Sequence, residues 1–281
     1  MDRAAAAIPQ FRKRLIVNAD DFGFTKDVNE GIAQAHVDGI LTATTLMANG
    51  DAFDDAVRIA GRLPGLDIGC HLVLVGGKSL VTGKLLPGSV TELLTAIMSR
   101  RIPIFDELSA QVTALLEAGI RPTHLDTHKH THLAPPVLDA VVRVSREFRI
   151  PWVRRPFDLP LTAVRGTAPW LKRATSDGLR FLRARFHRVL EKNGCLTTDH
   201  FAGFQITGRF RTEELVRLIE SLPDGLTEFM CHPGKLGPEL GKAKTRLKES
   251  REAELQALVA AETKHAIDVC GVELTNFRIS G

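Results

Sequence analysis

Two carboxylates stand side by side at the end of an apolar run, in LIVNADDFG, residues 15–23. Imidazoles close several later runs: His71 in IGCHL, His128, His130 and His132 in DTHKHTH, and His232 in EFMCHPG. Two carboxylates that share a site repel unless something cationic compensates them. A divalent metal is the natural compensator, bound by one aspartate while the other stays free as a base. One Asp with two His is a common donor set for a hydrolytic metal and leaves positions for water and substrate. Zinc suits two imidazoles and magnesium prefers oxygen, so the expected cofactor is one divalent ion, Zn or Mg. Adjacent strand residues point to opposite faces, so Asp20 and Asp21 meet only if the chain turns, and Phe22-Gly23 supplies a turn. If HKHTH is extended, its three histidines lie on one side. His232, ahead of Pro-Gly, is placed to close the site and serve as general acid.

The elements that must position these groups alternate along the chain. Strand-length apolar runs fall at 14–18, 42–47, 67–73, 124–126, 152–154, 204–206, 227–231 and 273–277. Helical patterns fall at 25–38, 51–62, 105–118, 134–148, 211–221 and 249–261. Such alternation predicts a parallel α/β sheet built from βαβ units. The number of units predicts a barrel of TIM type or a distorted relative, with an open doubly wound sheet as the alternative. In either fold, sites gather at the carboxyl ends of the strands. Here those ends read NADD, GCH, HLDTHKHTH, VRRP and MCHPG. An Asp pair alone is often a helix cap, and a His-rich tract alone is often a metal-sticky surface. The argument rests on the whole set.

Composition narrows the class. The chain has 281 residues, 44% of them hydrophobic and 25% charged, as in an ordinary soluble globular protein. No window approaches twenty consecutive apolar residues, so no transmembrane helix is expected. Residues 1–13 read as a flexible leader rather than a secretory signal, and Cys70, Cys195, Cys231 and Cys270 are too scattered for a disulfide framework or a thiolate cluster. A cytoplasmic location follows as the expectation. Between Arg154 and Cys195, ten Lys/Arg face three Asp/Glu, a surplus larger than the whole chain's +4.

The motifs LIVNADDFG, GILTATTLMANG, IGCHLVL, PTHLDTHKHTHLAPPVLD and CHPG resemble, in order, those of the YdjC-like carbohydrate deacetylases. The resemblance runs from about residue 14 to 276, and RRPFD and the basic segment are most similar to the hopanoid-biosynthesis-associated branch. It implies one deformed (β/α) barrel of glycoside hydrolase/deacetylase type over residues 14–281. It implies metal-dependent removal of an N-acetyl group from an N-acetylglucosaminyl hopanoid glycolipid, with soluble chitooligosaccharide as the alternative substrate. By motif, Asp21, His71 and His128 are the implied metal ligands, Asp20 the base and His232 the acid. Arg155 is expected to orient Asp20 or to bind substrate. His130 and Trp170 are further candidates for substrate contact.

A reading from another class is a non-catalytic sugar- or membrane-binding protein, which would have no need for a spare carboxylate beside a metal site. The basic amphipathic insertion, about 160–195, carries Leu179, Leu182, Phe186, Val189 and Leu190 at helical spacing, with Arg180, Arg183, Arg188 and Lys192 largely off that stripe. It is either a helix packed on the barrel with a solvated basic face or a peripheral contact to an anionic membrane. It lacks a nucleic-acid reading motif.

Overall fold

The computed structural model describes residues 13–159 and 183–279. Trp170 and most of the basic insertion lie outside the described residues; residues 183–192 of it are helical. The strands are β1 (Lys13–Phe22), β2 (Ala43–Leu46), β3 (Asp67–Leu72), β4 (His124–Thr127), β5 (Trp152–Val153), β6 (His200–Ala202), β7 (Gly225–Cys231) and β8 (Glu273–Leu274). All pair in parallel, in the order β5-β4-β3-β2-β1-β7-β6. β8 pairs Arg14 and Leu15 of β1, below the point where β2 takes over that edge at Asn18. Between the two end strands the closure is ragged, with single parallel bridges Trp152↔Leu196 and Asp158↔Phe201. The result is a deformed (β/α) barrel.

Besides the helical residues 183–192, the described helices are α1 (Lys26–Val37), α2 (Phe53–Ala60), α3 (Val90–Met98), α4 (Ile104–Glu117), α5 (Pro135–Phe148), α6 (Thr212–Glu220), α7 (Pro238–Lys242), α8 (Glu249–Val259) and α9 (Ala261–Val269). β1 is buried on both faces, as central parallel strands are. Leu15, Val17 and Ala19 pack in the large cluster beneath the helices. Ile16 joins Ala43, Trp152, Leu226 and Phe277 in a separate apolar cluster. His124 stacks on Phe277 with ring centroids 3.9 Å apart, and its Nε2 meets Asn18 Oδ1 at 3.0 Å. Asn18 Nδ2 in turn donates to Asp20 Oδ1 at 3.2 Å. The barrel interior therefore rises from an apolar floor through an Asn–His layer to the carboxylates at the mouth.

Several elements differ from the sequence reading, α7 and α9 among them. The run 204–206 is a turn, and the strand is His200–Ala202 instead. The Asp158 carboxylate takes the N–H groups of Phe204 and Gln205, at 3.1 and 2.7 Å, which removes them from any ladder. The helix expected over 249–261 ends at Val259, because Ala260 is extended at φ −60°, ψ 141°, and a further helix starts at Ala261. Helix α3 was not expected, although Ser89 and Glu92 carry a reciprocal cap: Ser89 Oγ accepts from Glu92 N at 3.1 Å and Glu92 accepts from Gly88 N at 2.8 Å. Among the described residues, no helix is long and apolar enough to cross a membrane.

Candidate active site

The two aspartates converge because β1 breaks its register. Pairing with β2 shifts between Ala19 and Phe22, and Asp21 takes a left-handed backbone at φ 70°. Aspartate tolerates that region better than most residues. A bulge at Asp21 therefore precedes the expected turn at Phe22-Gly23, which Phe24 N closes on the Asp21 carbonyl at 3.1 Å. Asp20 faces the interior on the same side as Asn18, and the irregularity at Asp21 brings the second carboxylate to the same mouth. Both are buried, at 3% and 4% exposure.

Asp21 Oδ1 lies 3.4 Å from His71 Nε2 and 3.2 Å from His128 Nδ1. The two imidazole nitrogens are themselves 3.2 Å apart. Donors placed 2.0–2.1 Å from one tetrahedral ion lie about 3.3–3.4 Å from each other, so this nearly equilateral triangle has the spacing of a metal-binding face. Asp21 Oδ1 makes no hydrogen bond although it is buried, which suits an oxygen reserved for a cation. The other oxygen, Oδ2, accepts from Arg251 Nη2 at 2.5 Å. Burial opposes ionisation of Asp21, but Arg251, His128 and His71 outweigh it and hold the carboxyl well below its ordinary range.

His71 is oriented from behind. Its Nδ1–H donates to Asp126 Oδ1 at 2.7 Å, which leaves the Nε2 lone pair toward Asp21 and His128. Asp126 is wholly buried, and its other oxygen accepts from Thr45 Oγ1 at 3.1 Å and from Arg154 Nη1 at 2.6 Å. Burial disfavours the charged form of His71, yet Asp126, Asp21 and Asp20 raise its pKa to about 10. With no metal in place, a proton on His71 is the cation that this cluster of carboxylates draws in.

Arg154 is the hub of the site. Its guanidinium donates to both oxygens of Asp20, at 2.8 and 2.7 Å, and its Nε donates to Glu228 Oε1 at 2.6 Å. Burial opposes the charge on Asp20, and Arg154, with His71 and His232, overcomes it, so Asp20 stays anionic far below the usual carboxylate range. The expectation that Arg155 orients Asp20 is corrected here. Arg155 donates to the backbone carbonyls of Asp199 and Thr198, and its neighbour Arg154, just past β5, grips Asp20.

The HKHTH stretch is not extended. β4 stops at Thr127, and Lys129 and His130 adopt left-handed backbones at φ 55° and 52°. Only His128 of the three reaches the Asp21 cluster. His132 uses both ring nitrogens locally, Nδ1 on Thr127 Oγ1 at 2.5 Å and Nε2 on the Arg154 carbonyl at 3.1 Å, so it braces the loop and the hub. His130 is buried against Phe201 and Phe204 with Nδ1 unbonded. His232 closes the other side, with Nε2 3.9 Å from Asp20 Oδ2. Burial lowers its pKa to about 4 despite the opposing pull of Asp20 and Asp21, so its imidazole is neutral at pH 7.

Fold and site together define a parallel α/β-barrel protein with a candidate metal centre at the carboxyl ends of its strands. Residues 14–269 match the YdjC-like protein family, and the chain belongs to that family. It is 33% identical to a carbohydrate deacetylase of Brevibacillus brevis, covering 94% of this chain and 98% of the relative. It is 30% identical to a carbohydrate deacetylase of Vibrio vulnificus YJ016, covering 94% and 95%. A crystal structure from Enterococcus faecalis V583, provisionally assigned to cellobiose-phosphate cleavage, superposes with a TM-score of 0.73 at 24% identity, covering 95% and 98%. That likeness concerns the fold.

Proposed function

We propose that this protein is a metal-dependent carbohydrate deacetylase that hydrolyses the acetamide of an N-acetylglucosaminyl group. One observation carries the reading: a triangle of Asp21, His71 and His128 donor atoms beside a second carboxylate, Asp20, kept anionic by Arg154. The carbohydrate deacetylases among its relatives support the substrate class. A divalent ion held by Asp21, His71 and His128, Zn or Mg, would supply Lewis-acid activation of a water and of the acetamide carbonyl. Asp20 accepts the water's proton as its oxygen bonds to the carbonyl carbon. Arg154 keeps Asp20 ionised and aimed. The C–N bond then breaks, and the nitrogen receives a proton from His232. Because His232 is neutral in the free site, that proton is one gained during the cycle, and Asp20, 3.9 Å away, is placed to supply it. Acetate and a glucosaminyl product leave.

The finer reading is an N-acetylglucosaminyl hopanoid glycolipid of the HpnK type, met at the inner face of the cytoplasmic membrane. The excursion after β3 supports it. Val90, Leu94 and Met98 recur every fourth residue on the outer side of α3, opposite the buried Leu93 and Ala96, and Met98 is 86% exposed. Leu85 on the preceding loop is 80% exposed. Lys78, Lys84, Arg100 and Arg101 are exposed on the same excursion, a combination suited to an anionic lipid surface.

The test is acetate release after metal stripping and re-addition, comparing an N-acetylglucosaminyl lipid in anionic vesicles with a soluble chitooligosaccharide. Metal-dependent turnover of the lipid alone is expected. Turnover of the sugar alone would remove the lipid reading and keep the chemistry. Metal-independent turnover would remove the chemistry.

A further inference from the structure

Helix α8 holds three parts of the mouth at once, and nothing in the resemblance assigns it a role. The Arg251 side chain is 1% exposed. Its Nη2 donates to Asp21 Oδ2 at 2.5 Å, and its Nε donates to the Leu247 carbonyl at 3.2 Å. Its own carbonyl accepts from Gly234 N at 3.2 Å. One turn further on, Glu254 Oε2 accepts from His232 N at 2.6 Å and Oε1 accepts from Gly208 N at 2.8 Å. The helix thus clasps the His-Pro-Gly loop from both ends while reaching across to Asp21.

Burying a guanidinium is costly, and in some proteins it is retained because a specific geometry depends on it. Here that geometry is the direction of one carboxylate. A carboxylate left free can turn two oxygens to a metal. Asp21 has one oxygen facing the two imidazoles and the other taken by Arg251. We propose that Arg251 is a positioning residue that restricts Asp21 to a single metal-facing oxygen, and so keeps one more coordination position open for the reacting water and carbonyl. The inference rests on the metal reading above.

The consequence differs from that of a merely structural arginine. If Arg251 only supported the fold around Asp21, its removal would loosen the site and weaken metal binding. If Arg251 holds Oδ2 away, its removal frees that oxygen to join the ion. The metal would then be bound at least as tightly, with a higher coordination number and lower activity.

Cobalt(II) reports this directly, because its visible absorption is intense when four-coordinate and falls as donors are added. The measurement is Co2+ titration of the metal-stripped full-length protein, read by visible absorption, for wild type, R251M and R251K. R251M is expected to bind Co2+ with affinity equal to or tighter than wild type and with a weaker visible band. R251K, which keeps a cationic donor, is expected to recover the wild-type band. R251Q is too short to reach Oδ2, so it carries the same expectation as R251M should R251M not fold. A wild-type band in R251M or R251Q, or weakened Co2+ affinity in either with the fold intact, would overturn the proposal. Failure of the wild-type protein to bind Co2+ would instead reject the metal reading on which it rests.

Discussion

At the scale of single residues, the site depends as much on groups behind the donors as on the donors. Asp126 is the clearest case. It takes the Nδ1 proton of His71 and is itself held by Thr45 and Arg154, so the ring is oriented with Nε2 as the nitrogen that would give up its proton to an ion. Asp126→Asn removes the carboxylate that makes His71 a good donor. Metal affinity is expected to fall by about 10- to 100-fold, measured by competition with a chromogenic chelator. Unchanged affinity would show that His71 needs no such support. The sequence reading did not single out Asp126, although its alternation with His124 on one face of a strand, in HLDTHKHTH, was a signal for it. Glu228 also left a trace, as a lone carboxylate inside LTEFMC that burial would force to find a partner. Arg251 left none: its helix, ESREAELQALV, reads as an ordinary polar surface helix.

At the scale of elements, the interior of the barrel is matched in size layer by layer. Gly69 on β3 faces His124 on β4. A Cβ at that position would lie 2.6 Å from both the His124 ring and its backbone carbonyl. The missing side chain is what lets the imidazole sit on Phe277 and bond Asn18, which in turn reaches Asp20. Gly69→Ala overfills this layer and is expected to cost roughly 1–3 kcal/mol, read as a lowered urea midpoint with an unchanged slope. A midpoint equal to wild type would mean that the layer has slack. The strands and most helices were readable from apolar periodicity. The turn at 204–206 was not, because its cause is a carboxylate nearly fifty residues away, Asp158.

At the scale of the whole molecule, the mouth gathers several buried carboxylates around few buried cations. One guanidinium, Arg154, serves Asp20, Asp126 and Glu228. Burial, together with Asp126 and Asp20, raises Glu228 from its ordinary 4.5 to about 7 against the pull of Arg154. The folded protein therefore keeps a proton between these values that the unfolded chain has lost. The contribution of Glu228 to stability falls as pH rises through that window. Glu228→Gln keeps the acceptor for Arg154 Nε and cannot ionise. In metal-free protein, the melting temperature of E228Q relative to wild type is expected to climb between about pH 4.5 and 7 and to level off above. A difference independent of pH would show that Glu228 does not hold this proton.

The sequence by itself determined a parallel α/β fold and the candidate donors at its strand ends, because both follow from local rules, while the choice of a barrel over an open sheet came from the resemblance. Periodicity marks strands and helices, and polar groups at strand ends in a parallel fold face one mouth. Tertiary structure decided which of these groups meet. The left-handed backbone at Asp21 brings adjacent aspartates together, and those at Lys129 and His130 send two of three histidines elsewhere. A register of one residue gives Asp20 to Arg154 rather than Arg155. Arg251 reaches Asp21 across 230 residues of chain. Such contacts depend on long-range packing and on the avoidance of unpaired buried charge, neither of which has a sequence period.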